Sequence, residues 1–449
     1  MITLSLLETA SFLGCSDFFL DKNYNGIGID TRTLEPGQLF IAILGDQFDG
    51  HDFVYDAERK GAIAALVSKK IESVSIPQLV VPDTIAALGK LAHYWRSRFM
   101  LPLIAVTGSN GKTTLKNMIG SILRAAVAGH AEQCLVTEGN YNNHIGLPLS
   151  LCRLSSAHRY GVLEMGMNHF GEIAYLSKMT EPQVAVINNA ATAHLEGVGD
   201  LAGVARAKGE IFLGLQKNGT AILNNDDSQI HYWKTLVGST KTLTFGLDHP
   251  SDIAATLVDA RSIELVTPKG CITLTLPLLG RHNILNALAA TAATLAIGID
   301  LETIKKGLET VAAEKGRMQP YTLASGACLI NDTYNANPFS LQAAVNTLAT
   351  FPGARVLVLA DMKELGDETA QLHHESGEYI RSKGIQHLLT LGELSQHAAR
   401  GFGETAQHFT DIEKLIAALQ PFLVKDTTIL IKGSRSMRME RVVEKLHDH

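Results

Sequence analysis

Several features are scarce in this sequence. Its five cysteines, Cys15, Cys134, Cys152, Cys271 and Cys328, are odd in number and far apart, and no C-x-x-C pair occurs. That argues against a disulfide framework or a zinc ribbon and favours reduced thiols in a cytoplasmic protein. No uncharged apolar run reaches about 18 residues, so no membrane-spanning helix is expected. The leading "MITLSLLETASFLG" has no basic segment and carries Glu8 inside its apolar stretch, which speaks against a secretion signal. Positive charge is not in excess: 39 Lys and Arg stand against 45 Asp and Glu, for a formal net charge of -6. Nucleic acid is therefore not expected as the main partner. Internal repeats and low-complexity tracts are also missing. What is present is a chain of 449 residues, 46% hydrophobic and 19% charged, which is the composition of a soluble globular protein. It is too long for one ordinary core, so two or three domains are expected.

Apolar runs alternate with helical patterns, which predicts an α/β protein of three domains. Residues 1–82 read as a small α/β unit, with strands in "GQLFIAILG" and "GAIAALVSKK". Residues 83–314 read as a doubly wound, phosphate-loop-type sheet. There "LPLIAV", "GVLEMGMN", "VAVINNA" and "GTAILNNDD" are short apolar runs ending in polar residues. Buried parallel strands look like this, and ligand groups gather at their C-terminal ends. Residues 315–449 repeat the alternation in "ACLINDTYNANP", "RVLVLADM", "HLLTLG" and "TTILIKGS", which suggests a second, Rossmann-like sheet.

"VTGSNGKTT" runs from Val106 to Thr114. The common phosphate-loop pattern G-x-x-x-x-G-K-[ST] would need a glycine at Val106, so it fails as written. Thr107, Gly108, Ser109, Asn110, Gly111, Lys112, Thr113 and Thr114 still form a glycine-rich turn between a strand and a helix. Such a turn gathers backbone N–H groups, and the helix dipole adds partial positive charge. Lys112 suits terminal phosphates and the Thr113 hydroxyl suits a magnesium ion. The bland alternative is an ordinary strand-to-helix turn.

Other residues carry a functional reading beside a plain one. Glu164, at the end of "GVLE", either holds a magnesium ion or is a solvated strand-end carboxylate, and the residues alone do not choose. His194 in "ATAHLEG" follows the next strand; a lone histidine is more often an ordinary polar contact, but this placement favours a shared cleft. Lys208 in "VARAKGEIF", taken by itself, reads as a surface lysine. "TEGNYNNHIGLP" is an Asn-rich turn, and Asn283 and Asn286 lie three apart on one helix face.

"TGSNGKTT" resembles the nucleotide loop of the Mur ligase family, T-G-[ST]-[NK]-G-K-[ST]-[ST], an alternative form of the phosphate cradle. The likeness extends along the whole chain. It implies ATP and magnesium as cofactors. Glu164 matches a family metal ligand, and His194 matches a histidine of the second magnesium site. "AKGE" matches the segment whose lysine is carbamylated, which makes Lys208 a carboxylate toward magnesium. Asn140, Asn142 and Asn143 match a segment beside the γ-phosphate and the acceptor; His144 stands where acidic residues are common, and no role is carried to it. In "GRHNILNALAA", Asn283 and Asn286 match asparagines near adenine. Arg317 in "EKGRM" resembles an arginine that reaches the terminal phosphates, and Asp332 an acidic residue near the ribose and the hinge. Catalysis would then rest on Lys112, Glu164, His194, Lys208 and Arg317.

The first domain resembles a D-[ST]-R...D-G-H pattern, which makes Asp30, Thr31, Arg32, Asp46, Asp49 and Gly50 candidates for a UDP-sugar pocket. "DTYNANPFS", "LADMKELGDET" and "KGSRSMRME" resemble the members that add D-alanyl-D-alanine, with Tyr334, Asn335 and Asn337 as substrate candidates. The D-N-P-R motif of the tripeptide-forming members is missing. Asn331 departs from the acidic residue common there and leaves Asp332 in place. The resemblance thus implies action on UDP-N-acetylmuramoyl-tripeptide and D-alanyl-D-alanine through an acyl phosphate; a monomer is expected, although the sequence does not fix the oligomeric state. A tripeptide-forming Mur ligase, a folate-type polyglutamate ligase and a non-catalytic nucleotide-binding regulator are the alternatives.

Overall fold

The computed structural model describes residues 1–15, 18, 20–45, 47–191, 195–258 and 262–447. The described residues form five sheets. Near the N-terminus, Thr3–Ser5 pairs antiparallel with Asn23–Asn25. A parallel sheet of Ile27–Gly28, Leu39–Ile41, Ala64–Val67 and Gln78–Val80 follows. Asp83 then caps the helix Thr84–Arg96, its carboxylate accepting from the N–H groups of Ile85 and Ala86 at 2.8 and 3.0 Å.

The central sheet is wholly parallel, in the spatial order Lys241–Phe245, Thr220–Asn224, Val184–Ile187, Leu103–Thr107, Tyr160–Glu164, Cys134–Val136. Leu103–Thr107 is first of these in the chain yet lies inside the sheet, so later strands are laid down on both of its sides. That reversal opens a crevice at the C-terminal strand ends, where such folds take ligands. Both faces of the sheet are covered. Leu103, Ala105, Leu163 and Ala185 join a core shared with the first domain, while Ile104, Val106, Val162 and Val186 pack under the helices Lys112–Ala126 and Arg281–Ala296. This is why these strands read as unbroken apolar runs rather than alternating ones.

An antiparallel sheet of Ala254–Leu257, Ser262–Thr267 and Gly270–Thr275 was not anticipated. In Ser262–Thr267 one face, Ile263 and Leu265, is buried, while Glu264 and Val266 are exposed. The third domain has the four expected strands, Cys328–Asp332, Ala354–Ala360, His387–Leu391 and Thr427–Lys432. Two short strands, Gln319–Thr322 and Gln407–Phe409, extend its edges, the first antiparallel. Among the described residues no helix is long and apolar enough to cross a membrane.

Candidate functional site

A cleft of about 570 Å³ lies between the central and third domains. One wall is the start of the helix Lys112–Ala126. Gly111 precedes it at φ 77°, a conformation open to glycine without penalty. The first N–H groups of a helix have no intrahelical partner, and Lys112, Thr113 and Thr114 all line the cleft. These groups favour an anion. Two N–H groups expected to do the same are already used: Ser109 donates to the carbonyl of Asn189 at 3.0 Å and Asn110 to Asn189 Oδ1 at 2.9 Å. Thr107 and Gly108 shape the loop without lining the cleft. The Thr107 hydroxyl donates to the Met165 carbonyl at 2.9 Å, and the Gly108 carbonyl accepts from Lys112 Nζ at 2.7 Å.

Arg317 reaches this loop from the third domain. Its Nη2 donates to Thr113 Oγ1 at 3.1 Å, and its guanidinium stacks on Tyr334, 4.0 Å from the ring centre. Asn337 caps the helix Pro338–Leu348 and also donates from Nδ2 to Asn110 Oδ1 at 3.1 Å. Tyr334 and Asn335 line the same cleft. Asp332 is held by Lys432, whose Nζ lies 2.6 Å from Oδ2 and also donates to the Asn335 carbonyl at 3.0 Å.

Buried polar atoms left without partners show what the cleft can accept. Among the described residues, Arg317 Nε and Asn110 Nδ2 are buried donors without an acceptor, and Glu164 Oε2 is a buried acceptor without a donor. Buried polar groups are normally satisfied, so such exceptions call for a ligand. The donors suit phosphate oxygens. The carboxylate oxygen suits a hard cation; Glu164 Oε1 is fixed by Asn142 Nδ2 at 2.9 Å. No group of three His, Cys, Asp or Glu side chains forms among the described residues. Magnesium therefore fits Glu164 and the Thr113 hydroxyl as an ion sharing its shell with phosphates and water, which is its usual habit.

Lys208 corrects the plain reading of a surface lysine. It sits on the helix Leu201–Gly209 and is 2% exposed. Burial pushes its ammonium well below the usual lysine range; Lys112 adds to this and Asp227 opposes it. It does not line the cleft, but both of those neighbours do. Lys112 is shifted down as well, by burial first, with Glu164 opposing.

Asn140, Asn142, Asn283 and Asn286 line the cleft. Asn143 does not; its Oδ1 turns back to accept from the N–H groups of Ile145 and Gly146 at 3.1 and 2.8 Å. His194 and Asp46 lie outside the described residues. The remaining first-domain candidates do not line this cleft. Arg32 pairs with Asp30 at 2.6 Å, and Thr31 lies between them in the chain. Asp49 accepts from the His51 ring at 2.6 Å, and Gly50 donates to the Ile43 carbonyl at 2.8 Å. A side chain at Gly50 would stand 2.6 Å from the Ile43 nitrogen, so the chain there needs glycine.

Sequence reasoning assigned no role to Asn188, Asn189, Asp227 or Lys432. Asn188 Nδ2 donates to the Asn110 carbonyl at 3.0 Å and to Asn286 Oδ1 at 2.8 Å, and Asn286 Nδ2 donates to Asn283 Oδ1 at 3.0 Å. A chain of amides thus ties the phosphate loop to the helix Arg281–Ala296. The available signal was positional: Asn188, Asn189 and Lys432 are polar residues at the C-terminal ends of apolar strands.

Known proteins carry the same organisation. Models of the Mur ligase family match three successive segments: the Mur ligase family catalytic domain over residues 23–96, the Mur ligase middle domain over 106–294, and the Mur ligase glutamate ligase domain over 316–435. The chain belongs to the Mur ligase family. Within it, the chain is 43% identical to the UDP-N-acetylmuramoyl-tripeptide--D-alanyl-D-alanine ligase of Escherichia coli K12, covering 100% of this chain and 99% of that one. Among solved structures it superposes on MurF from Acinetobacter baumannii with a TM-score of 0.93 at 35% identity, covering 100% of both chains. MurF from Thermotoga maritima in complex with ADP gives a TM-score of 0.85 at 28% identity, covering 94% of this chain and 97% of that one.

Proposed function

We propose that this protein is an ATP-dependent ligase that adds D-alanyl-D-alanine to UDP-N-acetylmuramoyl-tripeptide in peptidoglycan precursor synthesis. The observation that carries this reading is end-to-end similarity to ligases of that name, at 43% and 41% identity. The cleft supports it chemically, because two donors and a carboxylate oxygen without partners belong to residues that line it, the donors suited to phosphate and the carboxylate to a cation. Residues 1–82 hold the UDP-sugar, 83–314 hold ATP, and 315–449 bring in the dipeptide and Arg317. Free, well-separated cysteines fit a reducing cytoplasm.

The substrate carboxylate attacks the γ-phosphate and ADP leaves. The amine of D-alanyl-D-alanine then attacks the acyl phosphate carbonyl, and phosphate departs. Lys112 and Arg317 stabilise the transferring phosphoryl group. Glu164 and Thr113, together with His194, would hold magnesium, which neutralises phosphate charge and orients the nucleotide. The cleft between two domains excludes water that would hydrolyse the acyl phosphate. Asn283, Asn286 and Asp332 border the nucleoside.

Lys208 acts as a carbamate: its neutral amine adds to carbon dioxide, forming an N–C bond and releasing a proton, and so becomes an anion. Lys208→Ala is expected to be nearly inactive and partly rescued by a small carboxylic acid; near wild-type activity without added acid would overturn this role. The wider reading is tested by product formation. Amide product and phosphate release should require ATP, UDP-N-acetylmuramoyl-tripeptide and D-alanyl-D-alanine together. Equal turnover with a single amino acid in place of the dipeptide would refute it.

A further inference from the structure

Lys116 is a buried lysine to which the reaction as described gives no task. It follows Lys112 by one turn on the helix Lys112–Ala126 and is 3% exposed. Its Nζ donates to the carbonyl of Thr137 at 2.9 Å. Burial disfavours its charged form, while Glu164 and then Glu314 favour it through space. Burying an ammonium costs free energy that a methionine of similar length would not incur. A position that keeps the ammonium is using its charge or its hydrogen bond.

Thr137 shows what is being held. It is 1% exposed and directly follows the strand Cys134–Val136. Its N–H donates to the Val162 carbonyl at 3.1 Å, and its hydroxyl oxygen accepts from the Glu164 N–H at 3.0 Å. The chain leaving Thr137 is the Asn-rich turn. From it, Asn142 Nδ2 reaches Glu164 Oε1 at 2.9 Å, and the Asn142 carbonyl accepts from Gly166 N–H at 2.8 Å. Glu164 is thus held twice, its backbone by Thr137 and its side chain by Asn142 in the turn that follows Thr137. Lys116 fastens Thr137 to the helix that carries the phosphate loop.

We propose that Lys116 is a positioning residue, which through Thr137 sets the Glu164 carboxylate and the Asn140–Asn142 turn relative to the phosphate loop. The inference rests on reading the cleft as a metal-nucleotide site. It predicts that the metal, rather than the bare nucleotide, senses this lysine.

The test uses the full-length chain with Lys116→Met, Lys116→Gln and Thr137→Val. Manganese affinity is measured by electron paramagnetic resonance in the presence of ADP, and metal-free ADP affinity by calorimetry. Loss of a group that orients a ligand typically weakens metal binding by about 10- to 100-fold. Lys116→Met should weaken manganese binding at least about tenfold, with metal-free ADP affinity changed less than about threefold. Lys116→Gln, which keeps a donor for the Thr137 carbonyl, should fall between. Thr137→Val should also weaken the metal, because it removes the acceptor for the Glu164 N–H. In ligation, kcat should fall while the KM for D-alanyl-D-alanine holds, the split expected for misplaced reacting groups. Should Lys116→Met fail to fold, the other two variants carry the same measurement. Wild-type manganese affinity in the folded variants would overturn the proposal. If the wild-type protein itself bound no manganese–ADP, the reading of the cleft would fail instead.

Discussion

Replacing Gly111 by alanine probes the phosphate loop at its tightest point. Two costs can be worked from the geometry. Gly111 has φ 77°, and a residue with a Cβ loses about 1–2 kcal/mol in that left-handed region. A Cβ there would also stand 2.7 Å from Asn188 Nδ2 and 2.7 Å from Asn286 Oδ1. Those two atoms are hydrogen-bonded to each other at 2.8 Å in a buried setting, so they must separate. Losing one such bond with a partner left unsatisfied costs about 1–3 kcal/mol. The sum is about 2–5 kcal/mol. For a domain of this size, each kcal/mol lowers Tm by roughly 2–4 °C, so the melting transition should drop by at least about 4 °C. Asn188 also holds the Asn110 carbonyl, so nucleotide affinity should weaken with it. Scanning fluorimetry and ADP calorimetry measure both. Repeating the substitution in an Asn286→Ala background removes the contact with Asn286 and the hydrogen bond it would break, while the contact with Asn188 and the backbone strain persist. The second substitution should then cost less than it does in the wild-type background, but still at least about 1–2 kcal/mol. A Tm within about 1 °C of wild type would refute the reasoning.

Other outcomes follow from the same geometry. Lys112→Ala should leave less than about a tenth of the ligation rate, equivalent to at least roughly 1.4 kcal/mol in barrier, as measured by phosphate release. Lys432→Met leaves Asp332 without its ion partner and should cost about 3–5 kcal/mol in urea unfolding, part of it recovered by adding Asp332→Asn. His282 is depressed from 6.5 to about 4, by burial first, with Asp332 opposing and Lys432 assisting. Below pH 6.5 the unfolded chain therefore takes up a proton that the folded chain refuses. Stability should fall as pH drops toward 4 and then level. Compared with wild type, His282→Asn should lose about 2–3 kcal/mol less across that window in pH-dependent urea titrations.

What the sequence by itself determined is local. The glycine turn, the strand before it and the helix after it are set by neighbouring residues, and their order reads directly from Val106 to Thr114. The four main strands of the third domain were legible for the same reason. Periodicity and capping act over a few residues. The edge strands and the antiparallel sheet of residues 254–275 were not seen, because short strands depend on the neighbours they pair with. Asn143 reads like its neighbours in an Asn-rich turn, yet only Asn140 and Asn142 reach the cleft. Lys208 shows the limit most plainly. As a single character it is a surface lysine, and only packing against distant elements buries it beside Lys112 and Asp227. The Asn188–Asn110 contact joins residues 78 apart in sequence, and the Lys432–Asp332 pair joins residues 100 apart. Partners at that distance are chosen by the closure of the sheets. The residue types of the site could be read from the chain, but which of them share one charge environment was decided by the tertiary fold.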